Sequence, residues 1–171
     1  MPGGPGGGLV LRPARAKDAP AAADLIAASI RKLCTADHHD DPAIIGRWLA
    51  DKTAEGLRRL MSAEGTSFLL AERDGGLVAV GALTLRVQPA ETGKIELNYV
   101  LPAARFTGAS RALLAGMERE LCRRGVRHGR LTSTATAADF YRAAGWQPVG
   151  PPHQGRWIVG QRMEKVLGTA P

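Results

Sequence analysis

The most informative segment of the sequence is Val100-Leu-Pro-Ala-Ala-Arg105-Phe-Thr-Gly108-Ala-Ser110-Arg-Ala-Leu-Leu114, because a β-rich run ends in it and an amphipathic helix begins. The short loop between them holds Arg105 and Gly108. A helix N-terminus presents unpaired N–H groups and a partial positive charge, and a glycine lets an anion approach the backbone. The turn therefore predicts a phosphate site, although a glycine at such a turn can also serve packing alone.

Upstream of this turn, the apolar spacing predicts helices first and strands afterwards. An edge strand over 9–13 precedes a helix that Asp18 can cap, and the polar segment 34–42 predicts a loop. Further helices are expected to begin at Pro42 and after Thr53.

The apolar period then changes to two, which is typical of strands. Strands are predicted over 67–73, 77–88 and 94–101, and Asp74-Gly75-Gly76 is a strong hairpin signal between the first two. Pro102 stops the third strand. These signals predict an antiparallel sheet in the middle third of the chain.

Downstream of the turn, helices and strands alternate. A helix over 108–124, a strand over 130–133 and a helix over 136–144 are followed by a closing hairpin of 146–149 and 156–167. This order predicts an α/β or α+β layered domain.

Length and composition favour one globular domain. The chain has 171 residues, of which 44% are hydrophobic and 23% charged, so wholesale disorder is excluded. Residues 1–8 are glycine- and proline-rich, contain no signal peptide pattern and predict a disordered leader, and residues 9–171 form the domain. No apolar run approaches the ~20 residues of a membrane helix. Cys34 and Cys122 predict reduced thiols in the cytoplasm and no disulfide framework or metal site.

The net charge of +7 attracts anionic partners. Nucleic acid, an anionic membrane and a phosphorylated small molecule all satisfy that condition. The positive charge is scattered and only 5% of the residues are aromatic, which leaves no obvious platform for base stacking. A phosphate-bearing cofactor fits the charge about as well as RNA does.

Two motifs resemble those of the GNAT (Gcn5-related) N-acetyltransferase superfamily. Arg105, Gly108 and Ser110 fall on the acetyl-CoA signature R/Q-x-x-G-x-G/A, with Ser110 in place of the usual glycine or alanine. The segment Thr134-x-x-Ala-x-x-Phe-Tyr141-x-x-x-Gly-Trp resembles the family's N-x-x-A-x-x-F-Y…G-F, with Thr134 in place of asparagine. The resemblance extends over about residues 9–167.

The resemblance implies a central mixed, mostly antiparallel, splayed β-sheet of six to seven strands flanked by helices. It also implies direct transfer of an acetyl group from acetyl-CoA to a primary amine, with CoA as the second product. The residues that it places at the cosubstrate are Tyr99, Val100, Leu101, Arg105, Thr107, Gly108, Ala109, Ser110, Arg111 and Thr134.

The same resemblance suggests how the chemistry is divided. A backbone N–H of Val100 or Leu101 would polarise the thioester carbonyl, and Tyr141 would protonate the departing thiolate. The amine must lose a proton before it attacks, and Glu96 is the candidate base, with a histidine or a water chain as alternatives. A solvated charge on the strand face is the competing interpretation of Glu96. Strict alternation places 96, 98 and 100 on one face, unless a bulge changes the register.

The segment His38-His39-Asp40-Asp41 has three interpretations: a solvated loop, a part of acceptor recognition, or a metal site. Adjacent ligands on a short loop rarely close a tetrahedral site, so no metal is predicted. His153 can also face the acceptor pocket.

Two other functions remain open at the level of sequence. A non-catalytic acyl-CoA sensor would keep the phosphate turn without turnover, and an RNA- or tRNA-directed acetyltransferase would use the basic surface. We expect a small-molecule or peptide amine as acceptor, and neither nucleic acid nor a membrane as partner. Exposed edge strands make homodimers common in this fold.

Overall fold

The structure, a computed structural model, describes residues 8–87 and 91–168, without the side chains of residues 86 and 87. Nearly all of the predicted leader, and the last residue of the predicted strand over 77–88, lie outside these ranges. In chain order the elements are β1 (Val10–Pro13), α1 (Ala19–Leu33), α2 (Thr35–His38), α3 (Pro42–Leu49), α4 (Ala54–Ser62), β2 (Thr66–Arg73), β3 (Gly76–Val87), β4 (Thr92–Val100), α5 (Ala109–Arg123), β5 (His128–Ser133), α6 (Ala138–Ala143), β6 (Gln147–Pro148), β7 (His153–Gln154) and β8 (Val159–Val166).

Most elements begin and end where local chemistry predicts. The carboxylate of Asp41 accepts from the Ala43 N–H at 2.8 Å at the start of α3, and the Thr53 hydroxyl accepts from the Gly56 N–H at 3.0 Å at the start of α4. The β2–β3 turn places Asp74 and the following glycine at positive φ, as the hairpin signal requires.

The strands form one open sheet in the order β1-β2-β3-β4-β5-β8-β6, with β7 paired to β8. All neighbouring pairs are antiparallel except β4 and β5. The predicted mixed, mostly antiparallel sheet flanked by helices is therefore confirmed. The described residues form eight strands rather than six to seven, because β6 and β7 are separate strands of two residues each.

The parallel pair is short. Only residues 92–94 of β4 pair with residues 128–130 of β5, and beyond them no strand pairing joins the two strands. The two strands therefore diverge toward their carboxyl ends, which is the predicted splay.

Two hydrophobic clusters cover the two faces of the sheet. One packs α5 and α6 against the sheet around Leu113, Met117 and Trp146, and the other packs α1, α3 and α4 around Ile26, Ile30 and Trp48. Each side chain of the sheet therefore belongs to one of two layers, and alternation along a strand decides which.

A β-bulge in β4 interrupts that alternation at Glu96. Ala82 pairs with Leu97 but Leu83 pairs with Ile95, so Glu96 has no partner on β3. Ile95 consequently packs in the α5 cluster while Leu97 packs in the α1 cluster, although strict alternation would place both on one face.

The segment 34–42 is only in part the solvated loop that its polarity predicts, because residues 39–42 are exposed and the residues before them are not a loop. Residues 35–38 form α2, and His38 is fully buried, with Nε2 at 2.9 Å from the Ile30 carbonyl oxygen and Nδ1 accepting the Asp40 N–H at 3.0 Å. The bond at Nε2 links α2 to α1, and the bond at Nδ1 holds the turn that follows α2. The polar ring of His38 is therefore satisfied by internal hydrogen bonds rather than by water.

Asp18 also differs from its predicted role as a cap of α1. Its carboxylate makes two hydrogen bonds with Arg12, at 2.8 and 3.0 Å, and accepts the Arg15 N–H at 2.7 Å, and it makes no cap bond to α1. Arg12 also pairs with Glu72 at 2.7 Å. The hydrogen bonds from Arg12 hold the pKa of Asp18 at about 2, below its ordinary 3.8.

We expect Asp18→Asn to lower the free energy of unfolding at neutral pH by about 1 kcal/mol. A carboxyl group whose pKa is depressed on folding stabilises the fold above its unfolded pKa, and the contribution disappears as the pH falls through the folded value. The difference from wild type should therefore be constant above about pH 5 and vanish near pH 2 in urea unfolding. Asp51→Asn is the control, because that carboxylate is 58% exposed in its ion pair. A difference that persists at about pH 2 would contradict the ionic origin.

Candidate functional site

Where β4 and β5 diverge, a cleft of about 620 Å³ opens at the carboxyl ends of the two strands. Residues of α1, β4, β5, α6 and the start of α5 line it. The residues among them that the sequence predicted for the site are Glu96, Tyr99, Val100, Arg105, Gly108, Ser110, Arg111, Thr134 and Tyr141. The side chains of Leu101, Thr107 and Ala109 lie behind this lining: Leu101 packs in the α1 cluster, Ala109 is fully buried, and the Thr107 hydroxyl donates to the Ala104 carbonyl at 2.6 Å.

The N-terminus of α5 opens onto the cleft without a side-chain cap. Gly108 is the N-cap at φ 86°, and the first helical hydrogen bond runs from the Ala112 N–H to the Gly108 carbonyl at 3.0 Å. The N–H groups of residues 109–111 therefore have no acceptor within the helix. A Cβ at Gly108 would meet no atom within 4 Å, and Gly108, Ser110 and Arg111 line the cleft, so open space adjoins this turn.

Two cations flank this turn. Arg105 lies with its guanidinium 4.6 Å from the centre of the Phe106 ring, and Phe106 is 91% exposed at φ 64°. Arg111 is exposed on the first turn of α5 and also lines the cleft. Neither arginine forms an ion pair with a carboxylate within the described ranges. The turn therefore combines unpaired N–H donors with exposed positive charge, which suits a phosphate group.

The backbone of β4 presents a second set of unpaired groups. The Leu101 N–H donates to the Val78 carbonyl at 2.8 Å, so residue 101 forms a hydrogen-bonded pair with β3. In an antiparallel pair the N–H and C=O groups of alternate residues point away from the partner, and Asn98 and Val100 therefore direct theirs to the β5 side. Of the two amides that the resemblance suggests for the thioester, Val100 faces the cleft and Leu101 does not.

Tyr141 lies at the base of the cleft on α6 and is 6% exposed. Its ring makes edge contacts with Phe140, at 5.2 Å between centroids, and with Trp146, at 6.2 Å. The Asn98 side-chain amide donates to the phenol oxygen at 3.3 Å, which leaves the phenol hydrogen free to donate. Burial raises the pKa of Tyr141 to about 12, so the phenol keeps its proton at neutral pH.

Glu96, the bulged residue, projects a partly exposed carboxylate into the same cleft. Its Oε2 lies 3.0 Å from Lys94 Nζ, and its side chain is 27% exposed. The bulge removes Glu96 from the pairing register, and Glu96 lines the cleft. A general base and a strand-face charge are both consistent with a partly exposed carboxylate at this position.

The opposite wall of the cleft comes from α1 and is uncharged. It consists of Ser29, Leu33 and Cys34, with Tyr99 beside them. Trp48 Nε1 donates to the Tyr99 phenol oxygen at 3.2 Å, and burial raises the pKa of Tyr99. Burial likewise raises the pKa of the Cys34 thiol to about 12. Tyr99 therefore forms part of this wall rather than of the phosphate turn.

Sequence reasoning gives no role to two residues, Asn98 in the lining of this cleft and Asp37 beside it. Asn98 was placed only as a member of the 96, 98, 100 alternation, and that spacing relative to Val100 was the available signal. Asp37, which is treated below, lies in a polar segment that was interpreted as solvent-exposed, and no local pattern pointed to its partners. Thr134, the substitute for asparagine, accepts the Ala137 N–H at 3.1 Å through its hydroxyl and so caps the turn into α6.

The histidines do not converge on the cleft. His38 is used internally, His39 lines a separate and smaller cavity of about 350 Å³, and His153 lies in β7. Within residues 8–87 and 91–168, no three His, Cys, Asp or Glu side chains are grouped so that they could hold a metal ion. Among the helices in the same ranges, none has the length and apolar character to cross a bilayer.

Comparisons with known proteins agree with this architecture. A family model described as an acetyltransferase (GNAT) domain matches residues 34–167. The PaiA N-acetyltransferase of Thermoplasma acidophilum, solved in complex with coenzyme A, superposes with a TM-score of 0.77 at 20% identity over 93% of this chain and 99% of that chain.

Two further solved structures are similar. A GCN5-related N-acetyltransferase of Rhodopseudomonas palustris has a TM-score of 0.75 at 21% identity over 97% of this chain and 100% of its own. The ribosomal-protein-S18-alanine N-acetyltransferase of Escherichia coli has a TM-score of 0.63 at 19% identity over 95% and 96%. At these identities the likeness shows the fold. No curated protein matches this chain by sequence.

Proposed function

Because this chain belongs to the GNAT acetyltransferase family, we propose that it is an N-acetyltransferase that moves the acetyl group of acetyl-CoA directly to a primary amine of a small molecule or peptide. Acetyl-CoA is the usual cosubstrate of the family. The observation that carries the proposal is the cleft between β4 and β5, which brings together the open N-terminus of α5, the unpaired edge of β4 and the Tyr141 phenol.

The cosubstrate fits the residues of this cleft at two places. Its pyrophosphate would accept hydrogen bonds from the first N–H groups of α5, where the space in front of Gly108 admits it. Arg105 and Arg111 add positive charge at the same end. The amide groups along the pantetheine arm would pair with the outward N–H and C=O groups of Asn98 and with the outward C=O of Val100, which a strand partner would otherwise occupy.

The Val100 N–H is the donor that we assign to the thioester carbonyl. A donor fixed in a strand needs no reorganisation when negative charge develops on the oxygen, and such a donor typically contributes about 10²–10³-fold to the rate. The acceptor amine, with an ordinary pKa near ~10.4, must give up a proton before it attacks. Glu96 is the one carboxylate among the described lining residues of this cleft, and we assign it that role, directly or through a water.

Tyr141 is assigned to the departing sulfur. The thiol of CoA has a pKa near ~8.5, so a phenol with a pKa of about 12 gives up its proton to that thiolate only uphill, by about 5 kcal/mol. The phenol therefore acts as a hydrogen-bond donor to the developing thiolate, and the proton released by the amine balances the products. Asn98 supports this role because it donates to the phenol oxygen and leaves the phenol hydrogen for the sulfur.

Two further statements belong to this proposal. The free thiols Cys34 and Cys122 are consistent with a location in the cytoplasm. The scattered positive charge and the uncharged α1 wall favour a small amine or a peptide over an RNA-borne acceptor.

The proposal is tested by an acceptor screen that follows release of the CoA thiol from acetyl-CoA. The panel contains amino acids, polyamines, aminoglycosides, peptides with free N-termini and lysine-containing peptides, and mass spectrometry identifies the product. We expect stoichiometric CoA release and N-acetylation for at least one class. Tight acetyl-CoA binding with no turnover on any amine would instead support the non-catalytic sensor. Salt-dependent tRNA binding with acetylation of aminoacyl-tRNA alone would support the RNA-directed alternative.

A further inference from the structure

Asp37 holds the loop that leads from β5 into α6. It lies in α2, is 9% exposed, and accepts three hydrogen bonds from residues almost a hundred positions away. The donors are the Ala135 N–H at 2.6 Å, the Thr136 N–H at 3.2 Å and the Thr136 hydroxyl at 2.6 Å. A buried carboxylate that accepts three hydrogen bonds is a strong and directional contact, because each bond is made to a charged acceptor.

A short chain of hydrogen bonds leads from this contact to Tyr141. Directly after Thr136, the Ala137 N–H donates to the Thr134 hydroxyl at 3.1 Å, and the Tyr141 N–H donates to the Ala137 carbonyl at 3.1 Å. The start of α6, and with it the backbone of Tyr141, is therefore set by the loop that Asp37 holds. At the far end of the Tyr141 side chain, the Asn98 amide donates a hydrogen bond to the phenol oxygen.

Asp37 is itself fixed to the α1 wall of the cleft. Its N–H donates to the Cys34 carbonyl at 2.9 Å, and the next residue, His38, is bonded to the Ile30 carbonyl at 2.9 Å. Asp37 thus joins α1 to α6 across the end of the cleft, between the wall that faces the acceptor and the phenol that faces the sulfur.

We propose that Asp37 is a positioning residue for Tyr141, which holds the β5–α6 loop so that the phenol reaches the departing sulfur. This inference rests on the proposed acetyltransferase function. It differs from a general stabilising role, because a bond network that only stabilised the fold would affect every readout in proportion to unfolding. A displacement of reacting groups by about 1 Å can cost on the order of 10²-fold in rate.

The test compares Asp37→Asn with wild type. The amide keeps one acceptor oxygen but turns an NH₂ group toward N–H and O–H donors, so part of the loop contact is lost. We expect kcat to fall about 10- to 10²-fold while the Kd of acetyl-CoA changes by less than about threefold, because the α5 turn does not depend on Asp37. The matched control is Asp41→Asn, an exposed cap of α3 that asparagine replaces well and that should leave kcat unchanged.

A double mutant separates positioning from stabilisation. If Asp37 acts through the phenol, adding Asp37→Asn to Tyr141→Phe should lower kcat by less than about twofold further, because the two changes remove one contribution. Losses that multiply would overturn the proposal, as would wild-type kcat in Asp37→Asn. If Asp37→Asn does not fold, Thr136→Val, which removes one of the three donors, should give the same pattern with a smaller loss.

A spectroscopic readout makes the inference independent of turnover. The chain has only two tyrosines, Tyr99 and Tyr141, so ¹³C-labelled tyrosine gives two phenol signals, and Tyr141→Phe assigns them. Asp37→Asn should shift the Tyr141 signal and lower its pKa toward the ordinary ~10, and leave that of Tyr99 in place. An unmoved Tyr141 signal would overturn the positioning role even in an active enzyme. A shifted signal in a protein that acetylates no amine would overturn the proposed function alone.

Discussion

We expect Tyr141→Phe to lower kcat by about 10²–10³-fold, with little change in the Kd of acetyl-CoA or in the Tm. The substitution keeps the ring and its edge contacts with Phe140 and Trp146, and it removes the phenol hydrogen that we assign to the departing sulfur. Steady-state kinetics over about pH 6 to 9 would measure the loss. The residual activity should rise relative to wild type toward the upper end, where the thiolate is stable without a donor.

The matched control is Tyr99→Phe, the same substitution at the other tyrosine of the cleft. The Tyr99 phenol accepts from Trp48 and lies beside the α1 wall, where we propose that the amine binds, so its loss should appear mainly in the KM of the amine. If Tyr141→Phe turns over at nearly the wild-type rate throughout this pH range, Tyr141 is a packing residue and the sulfur is served by water.

We expect Gly108→Val to raise the Kd of acetyl-CoA by about 10- to 10²-fold, because a branched side chain in the open space at Gly108 would hinder the approach of the pyrophosphate to the α5 amides and weaken hydrogen bonds to a charged phosphate. Isothermal calorimetry with acetyl-CoA and with CoA gives the affinity. A β-branched residue at φ 86° also strains the backbone, so stability has to be separated from binding.

Gly125→Val is the control that separates an effect on stability from an effect on binding. Gly125 follows the other end of α5 at φ 80°, and a Cβ there also meets no atom within 4 Å, but it does not line the cleft. Both variants should lose similar Tm, and only Gly108→Val should lose affinity. Equal affinities in the two variants would remove the phosphate turn from the site.

The parts of this molecule that short stretches of sequence determine were predictable. The β2–β3 hairpin follows from Asp74 and Gly75, whose positive φ values a two-residue turn needs, and the α5 turn follows from a strand end, a glycine and a helical apolar pattern. The position of Tyr141 in the cleft agrees with a motif that also contains its two ring contacts, Phe140 and Trp146, and Gly145 after α6. In each case the residues that make the structure lie within about a dozen positions of one another.

The parts that were missed depend on residues far apart in the sequence. Asp37 and His38 look like solvated loop residues until the partners Ala135 and Ile30 are known, because a polar side chain does not reveal whether water or protein satisfies it. The bulge at Glu96 depends on how β4 fits β3, and a strand read alone gives only strict alternation. The sequence alone also does not show that the Leu101 N–H is bonded to the Val78 carbonyl and therefore cannot reach the thioester carbonyl.

The extra residue in β4 also determines which heritable changes this strand can accept. A single-codon deletion of Glu96 would remove the bulge, and it would leave Ile95 opposite Leu83 and Leu97 opposite Ala82, so that both halves of the strand keep their register with β3. Ile95 and Leu97 would also stay on opposite faces of the sheet, as alternation requires. A deletion at Asn98 would instead shift one half of the strand by one residue, about 3.4 Å, and turn its side chains to the other face. In a lineage of such chains, the sheet should therefore tolerate the loss of one codon at residue 96 and not at the neighbouring positions of β4.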